Sequence, residues 1–147
     1  VTVGGISVGA HDHVGPALES LGMRWDLRGV AMRPGHPVGI GRRGATVVLA
    51  LPGNPAAAAV CFHVLGRALL GARDDWASAM PLAAPVPRHP RDVSFVRCAW
   101  EPEGVRPLER QGPAQVTSLA GARALAWIDP GAGIVPASSA VPVSLMP

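Results

Sequence analysis

The chain contains no lysine: its 13 basic residues are all arginine, they face 10 acidic residues, and the net charge is only +3. Apart from the pair Arg42–Arg43 the arginines are scattered, and no aromatic residues alternate with them, so nucleic-acid binding is not favoured. No uninterrupted apolar run approaches the length of a membrane span, and we expect neither a span nor a signal peptide. The two cysteines, Cys61 and Cys98, match no zinc or disulfide spacing, which favours reduced thiols in a cytoplasmic protein.

Charged residues are also scarce, at 16% against 48% hydrophobic residues, which argues against a disordered chain. A length of 147 residues fits one ordinary domain or two small ones and can bury a real core. Composition shifts once, at residues 80–92, where the prolines exclude a helix interior and predict a linker or an extended crossing. We therefore expect an α/β domain over residues 1–79, this linker, and an all-β domain over residues 93–147.

The first domain alternates between strand and helix patterns. The β-rich run Ala45–Leu51 is typical of strands buried on both faces of a parallel sheet, and a helix is predicted directly after it. A short helix closed by glycine is predicted at Val14–Gly22, followed by a strand within residues 23–32. The pattern favours an α/β layer with a mostly parallel sheet. The run Arg73–Asp75 is predicted to be solvated surface after the second helix.

The pattern after residue 92 favours strands. Strands are predicted at Asp92–Trp100 and Val105–Glu109 with a turn between them, and a terminal strand at Ala140–Met146. The stretch Thr117–Ile128 is predicted as a helical turn feeding another strand. We expect a small C-terminal barrel or sandwich of about 55–60 residues, a size that is marginal alone.

The first loop of interest, GGISVG, leaves a strand and opens a helix. Its glycines Gly4, Gly5 and Gly9 permit positive φ and a close approach of a ligand to the backbone. The amides between them can converge on an anion, and the hydroxyl of Ser7 can add a donor. Asp12 follows near the start of the next helix. It either caps that helix or binds a magnesium ion that bridges to a phosphate, and the sequence leaves both interpretations open.

The second loop, LPGNP, also joins a strand to a helix. Asn54 occupies the favoured N-cap position and Pro55 the favoured first helical position, so the free amides of the helix should point into the loop mouth. Pro52 and Pro55 stiffen the loop and reduce the entropy lost on ligand binding. The alternative is an ordinary connection between a strand and a helix.

A third rigid turn, RPGHP, lies between these two loops. Arg33 offers a planar fork suited to an oxyanion. His36 can donate a hydrogen bond, more strongly when it is protonated. Together the three loops predict a phosphate or another oxyanion as ligand.

The three motifs GGISVGxxD, RPGHP and LPGNP, in this order, resemble the molybdopterin molybdenumtransferase family of MoeA proteins and the E domain of gephyrin-type proteins. The family pattern is roughly GG[VI]SVGxxD, KPGKP and LPGNP. In the tail, QVTSLAGARALAWI resembles a family segment of the type QxSSLxxANALxxI, and SFVR resembles the F-x-R of the C-terminal barrel. The resemblance extends from Val1 to the end of the chain.

The resemblance implies that molybdenum from molybdate is inserted into the dithiolene of molybdopterin. The substrate is the adenylylated pterin, its adenylyl group is released, and Mg²⁺ is required. It implies a cleft between an incomplete three-layer molybdopterin-binding domain and a C-terminal β-barrel, usually in a homodimer. Asp12, Arg33 and His36 become the catalytic candidates, with Asp12 as the magnesium ligand. The candidate cofactor-binding residues are Gly4, Gly5, Ser7, Gly9, Pro52, Gly53, Asn54, Pro55 and Arg97.

Several positions depart from the family pattern. Arg33 and His36 replace the two lysines of KPGKP, and Ala57 stands where the family often has serine. Each donor lost to a buried oxyanion should cost about 1–3 kcal/mol. The family's N-terminal dimerisation region and TGDE-type motif do not occur in this sequence, so we expect a fragment without full activity. The alternatives are a non-catalytic molybdopterin-binding paralogue, acting as carrier or sensor, and a decayed reading frame.

Overall fold

The computed structural model describes residues 1–72, 76 and 78–146, so the predicted surface run Arg73–Asp75 lies outside the described residues. The N-terminal half forms a four-stranded sheet. Its strands, in spatial order, are β1 (Thr2–Val3), β5 (Thr46–Leu51), β4 (Gly39–Arg43) and β2 (Arg24–Arg28).

The prediction of a mostly parallel sheet is wrong. Only β1 and β5 run parallel, whereas β4 is antiparallel to both β5 and β2. The reason for the antiparallel pairing of β4 with β5 is a tight hairpin. Gly44, with φ at +57°, reverses the chain between the two strands, so that Arg43 pairs with Thr46. The run Ala45–Leu51 is also less buried than predicted, because only its last three residues are fully covered.

Both predicted N-terminal helices are present. The first, α1 (Val14–Ser20), is closed by Gly22 as expected: this glycine has φ at +81° and donates its amide to Glu19 O at 2.9 Å. The second begins at Pro55 as α2 (Pro55–Cys61) and continues through a π-helical turn (Phe62–Gly66) into α3 (Arg67–Leu69).

The C-terminal half is built mainly from strands. Its main sheet has the order β3 (Met32–Arg33), β8 (Val93–Glu101), β10 (Ala124–Ile128), β12 (Ala140–Leu145) and β6 (Ser78–Pro81), with β9 (Gly104–Pro107) also paired to β8. A separate ladder joins β7 (Val86–Pro87) to β11 (Ile134–Val135), and a short helix, α4 (Thr117–Gly121), precedes β10. The predicted strands and helical turn of this half are therefore confirmed.

The sequence predicted a barrel or a sandwich for this half, and the strands among the described residues do not form a closed barrel. Among the described residues the order of the main sheet runs from β3 to β6 without a ladder joining the two ends. One isolated bridge, between Leu82 and Val105, connects the segment after β6 to β9. Beyond Pro81 the pairing continues through single backbone hydrogen bonds: Leu82 donates its amide to Ser139 O at 3.0 Å, and Ala83 donates its amide to Val105 O at 2.9 Å.

The two halves share a core. Strand β3 leaves the N-terminal half and pairs in parallel with the start of β8, with Arg33 opposite Ser94. One buried cluster contains Val60 and Cys61 of α2 together with Phe95 of β8 and Leu125 of β10. A helix face and a sheet face are thereby packed together, which fixes the loops of both halves relative to each other.

The proline-rich segment 80–92 is extended and contributes to the C-terminal half. It contains β7 and the last residues of β6, and Leu82 and Val86 are buried in the C-terminal core.

None of the helices among the described residues is long and apolar enough to cross a membrane.

Candidate functional site

The glycine turn after β1 is built against the LPGNP loop. Gly4 donates its amide to Leu51 O at 2.9 Å, and a Cβ on Gly53 would lie 3.4 Å from the Cα of Gly4. Gly4 and Gly5 have φ of +84° and +66°, in the left-handed region that favours glycine. A Cβ on Gly5 would lie 2.7 Å from Val14 Cγ2, so this glycine lets α1 start directly above the turn.

Asp12 is held within its own loop. Its Oδ2 accepts the amide of Gly9 at 2.8 Å. The residue at the N-cap of α1 is His13, and no side chain caps this helix. The interpretation of Asp12 as a helix cap is therefore wrong, because its carboxylate closes the turn that precedes the helix.

The LPGNP loop begins α2 as predicted, with Asn54 at the N-cap and Pro55 at the first helical position. The amide of Ala58 donates to Asn54 O at 2.9 Å. The amide of Ala57, however, donates to Pro113 O at 3.2 Å, from the C-terminal half. The prediction that the free amides of this helix point at a ligand is thus wrong for Ala57.

The RPGHP turn rests on α2. Gly35, with φ at +125°, lies against Cys61, whose thiol donates to Gly35 O at 3.8 Å. Burial raises the pKa of the Cys61 thiol to about 12, so this cysteine is a packing residue and not a thiolate nucleophile. His36 donates Nδ1–H to Val30 O at 3.0 Å, while the side chain of Arg33 is exposed.

A cleft of about 890 Å³ opens between the two halves. The predicted site residues that line it are Arg33, His36, Pro52 and Asn54. The predicted residues outside its lining are Gly4, Gly5, Ser7, Gly9, Asp12, Gly53, Pro55 and Arg97. The structure thus brings the RPGHP and LPGNP loops into one cavity, with the glycine turn behind LPGNP and not on the cavity wall.

Arg97 lies beneath the cleft wall. It is fully buried in β8, and its Nη2 donates to Arg110 O at 3.1 Å and to Gly112 O at 3.0 Å. Burial lowers the pKa of its guanidinium. Nε and Nη1 have no hydrogen-bond partner in the described part of the chain.

Sequence reasoning missed the opposite wall of the cleft. Residues 84–89 and 107–109 line it, and they include Arg88, His89 and Glu109. Nη1 of Arg88 donates to Asp129 O at 2.8 Å. His89 Nδ1 accepts the amide of Asp92 at 2.9 Å, which leaves the ring proton of the neutral form on Nε2. The only signal in the sequence was the arginine and histidine within the proline-rich segment, because their presence in one cavity with Arg33 depends on the fold.

Comparisons with known proteins agree with this architecture. A family model described as a probable molybdopterin binding domain matches residues 1–72, and one described as the MoeA C-terminal region (domain IV) matches residues 79–146. Molybdopterin molybdenumtransferase 2 of Mycobacterium tuberculosis is 35% identical over 116 residues, which are 75% of this chain and 27% of that protein. Molybdopterin molybdenumtransferase of Synechocystis is 44% identical over 62 residues, or 41% of this chain and 16% of that protein.

The chain belongs to the molybdopterin molybdenumtransferase (MoeA) family. It spans about a quarter, or less, of the length of these curated relatives. Two crystal structures of a molybdopterin biosynthesis MoeA protein from Pyrococcus horikoshii show the same fold, with TM-scores of 0.72 and 0.76. They cover 84% and 91% of this chain, with sequence identities of 20% and 24%, and the chain covers 33% and 34% of theirs.

In this member of the MoeA family the two family matches meet across the cleft. Arg33 and Asn54 belong to the first match, and the opposite wall with Arg88 and His89 belongs to the second. The cleft therefore needs both halves of the chain, which the shared core keeps together.

Proposed function

We propose that this chain binds adenylylated molybdopterin and molybdate in its interdomain cleft and takes part in inserting molybdenum into the pterin. The observation that carries the proposal is the placement of Arg33 and His36 in one cavity with Arg88 and His89. Asp92 and Glu109 also line the cavity, so the formal charges of the two arginines and the two carboxylates balance. The attraction for an anionic substrate therefore rests on the exposed guanidinium of Arg33 rather than on a net positive field.

Arg33 is the residue best placed to bind an oxyanion. Its side chain is exposed in the cleft and makes no hydrogen bond or ion pair with the described residues. Its backbone is fixed, because β3 pairs with β8 on one side and the RPGHP turn packs on Cys61 on the other. A guanidinium held in this way can offer two parallel N–H donors to molybdate or to a phosphate.

His36 contributes only in one protonation state. Because its Nδ1–H is already donated to Val30 O, the neutral ring presents an unprotonated Nε2 to the cleft, which cannot donate to an oxyanion. The protonated ring presents Nε2–H and a positive charge. His36 thus replaces a permanent cation by one that depends on pH.

The glycine turn and the LPGNP loop are proposed to hold the pterin or its nucleotide. Their close approach at Gly4 and Gly53 supports this, since it leaves backbone beside Asn54 without intervening side chains. Of the proposed binding residues, Pro52 and Asn54 line the cleft. Gly4, Gly5, Ser7, Gly9, Gly53 and Pro55 lie outside its lining and would bind a part of the ligand that extends beyond the cleft. Arg97 also remains among the proposed residues. For Arg97 its burial implies an indirect role, which is developed below.

Magnesium binding is proposed at Asp12. No group of three or more His, Cys, Asp or Glu side chains suited to a metal ion occurs among the described residues. One carboxylate supplemented by water and substrate phosphates is a common arrangement for Mg²⁺, so a single Asp12 fits this metal. The bound ion would neutralise phosphate charge, while Asp12, fixed by the Gly9 amide, would orient it.

A homodimer and a cytoplasmic location also remain part of the proposal. The family resemblance supports the dimer. Two free, buried cysteines support a reducing compartment.

Titration calorimetry with adenylylated molybdopterin, with and without molybdate, tests the function. We compare the chain with Arg33→Gln and with Arg42→Gln, an exposed arginine that pairs with Asp26 and does not line the cleft. Loss of a charge-assisted contact should weaken molybdate-coupled binding by about tenfold or more in Arg33→Gln only. Equal affinities in all three proteins would refute the proposal, and pterin binding that is indifferent to molybdate would indicate a carrier instead.

A further inference from the structure

Arg97 is the most deeply buried charged residue among those described, and nothing acidic compensates it. It lies in the middle of β8 opposite Leu125, with none of its surface exposed. It forms no ion pair with a described residue, and two of its nitrogens, Nε and Nη1, are buried without partners. Burying a guanidinium in this way costs stability, so its presence calls for a reason other than stability.

The hydrogen bonds of Arg97 hold one segment of the chain, residues 108–112, against β8. Its Nη2 holds the carbonyls of Arg110 and Gly112. Gln111 adds two further tethers: its Oε1 accepts the amide of Arg97 at 3.0 Å, and its Nε2 donates to Arg97 O at 2.8 Å. The same Nε2 donates to Leu108 O at 2.7 Å, so the segment 108–112 is closed on itself as well as on β8.

This fastened segment is a wall of the cleft. Leu108, Glu109, Gln111, Gly112 and Pro113 line the cavity, whereas Arg97 does not. The wall then reaches the other half of the molecule, because Pro113 O accepts the amide of Ala57 at 3.2 Å in the first turn of α2. A continuous set of hydrogen bonds therefore links Arg97 to the helix that follows LPGNP.

We propose that Arg97 is a positioning residue that holds the 108–113 wall against the start of α2 and acts on the ligand only through that wall. The expected effect of Arg97 on ligand binding rests on the proposed function, whereas its expected effect on the position of the wall does not. Arginine suits this position because the long stem lets Nη2 reach two carbonyls at once. A lysine is one bond shorter and carries a compact, strongly hydrated ammonium.

Site-resolved amide exchange on the ligand-free chain tests the proposal directly. The amide of Ala57 reports the contact with Pro113, and the amide of Ala58, which donates to Asn54 O, reports the helix start by itself. In Arg97→Met we expect exchange at Ala57 to accelerate by about tenfold, the effect of losing one charged hydrogen bond, while Ala58 changes little. Equal acceleration of both amides would show a general loss of stability and would overturn the proposal.

Two further variants keep the test decisive if Arg97→Met folds poorly. Gln111→Leu leaves the charge at position 97 intact but removes the other tethers, and should also accelerate exchange at Ala57. Arg97→Lys keeps the charge, so Ala57 protection as high as in the unmodified chain would show that charge suffices, and would contradict the positioning role. The matched control is Arg123→Met, since Arg123 donates to the carbonyls of Ala120 and Ala122 away from the cleft and should leave Ala57 unchanged.

Calorimetry with adenylylated molybdopterin then separates the two proposals. If the unmodified chain binds and Arg97→Met binds at least about tenfold more weakly, the wall acts on the ligand. If the unmodified chain binds nothing while Ala57 exchange responds as expected, the proposed function fails and the positioning of the wall stands. If Arg97→Met binds as tightly as the unmodified chain, the wall does not act on the ligand and that part of the proposal is wrong.

Discussion

The thiol of Cys61 occupies the space that a side chain would need at Gly35. Cys61 Sγ donates to Gly35 O at 3.8 Å, and a Cβ built on Gly35 would overlap Sγ and would lie 3.3 Å from Met32 Cε. The RPGHP turn therefore packs on α2 at Cys61, one helical turn after Ala57. This contact is the reason that Arg33 and His36 share a cleft with Asn54.

Gly35→Ala should therefore destabilise the protein for two reasons, a strained backbone and a steric overlap. Adding about 1–2 kcal/mol for the backbone and about 1–3 kcal/mol for overpacking gives a loss of roughly 2–5 kcal/mol in urea unfolding. Gly44→Ala is the control, because Gly44 also has positive φ, at +57°, but has open space around it. It should lose only the backbone part.

The double variant Gly35→Ala with Cys61→Ala isolates the overlap. Since the smaller side chain at position 61 makes room for the new methyl group, the two losses should be less than additive. Fully additive losses, or equal losses in Gly35→Ala and Gly44→Ala, would contradict the packing relationship.

His36 predicts that oxyanion binding strengthens when this position always carries a donor. The neutral ring offers none at Nε2, because its N–H is Nδ1–H and is donated to Val30 O. Molybdate-coupled binding measured by calorimetry should therefore be tighter in His36→Lys than in the unmodified chain, since the lysine ammonium carries N–H donors and a positive charge. Equal or weaker binding in His36→Lys would exclude this role for His36.

Asp12 allows its structural and its metal-binding roles to be separated. Asp12→Asn keeps an oxygen acceptor for the Gly9 amide, so its stability should stay within about 0.5 kcal/mol of the original. Asp12→Ala loses that hydrogen bond, at a cost of about 1 kcal/mol. Both variants should lose the Mg²⁺ dependence of ligand binding, and its retention in Asp12→Asn would argue against Asp12 as the metal ligand.

The two buried thiols predict a loss of stability in alkaline solution. Burial raises the pKa of both Cys61 and Cys98 to about 12, above the ordinary value of 9.0. Between these values the unfolded chain loses the thiol protons and the folded chain keeps them, so the free energy of unfolding falls as pH rises, by up to about 1.4 kcal/mol per pH unit for each thiol. Below pH 9 this dependence should vanish.

Urea unfolding at several pH values measures this slope. Cys98→Ala lowers the overall stability by leaving a cavity, but the informative quantity is the slope between pH 9 and pH 12, which should be about halved. An unchanged slope would show that Cys98 is not a source of the alkaline instability.

Short-range features of the fold could be predicted from the sequence. Val14–Ser20 closed by Gly22, and Asn54 followed by Pro55 at the start of α2, follow local rules for helix ends that depend on a few neighbouring residues. The pairing of strands was predicted less well. The hairpin at Gly44 made the first sheet mainly antiparallel, and the C-terminal strands left their sheet open.

The amino-acid sequence by itself determined the loops: their glycines, prolines and helix-start residues restrict the backbone within a few positions, and their motifs indicate the family. The tertiary structure alone decided which loops share the cleft, that Arg88 and His89 line the same cavity as Arg33, and that Arg97 lies beneath the wall. The physical reason is that these relationships arise from packing a helix face on a sheet face. Such packing joins residues distant along the chain, and no local backbone preference encodes it.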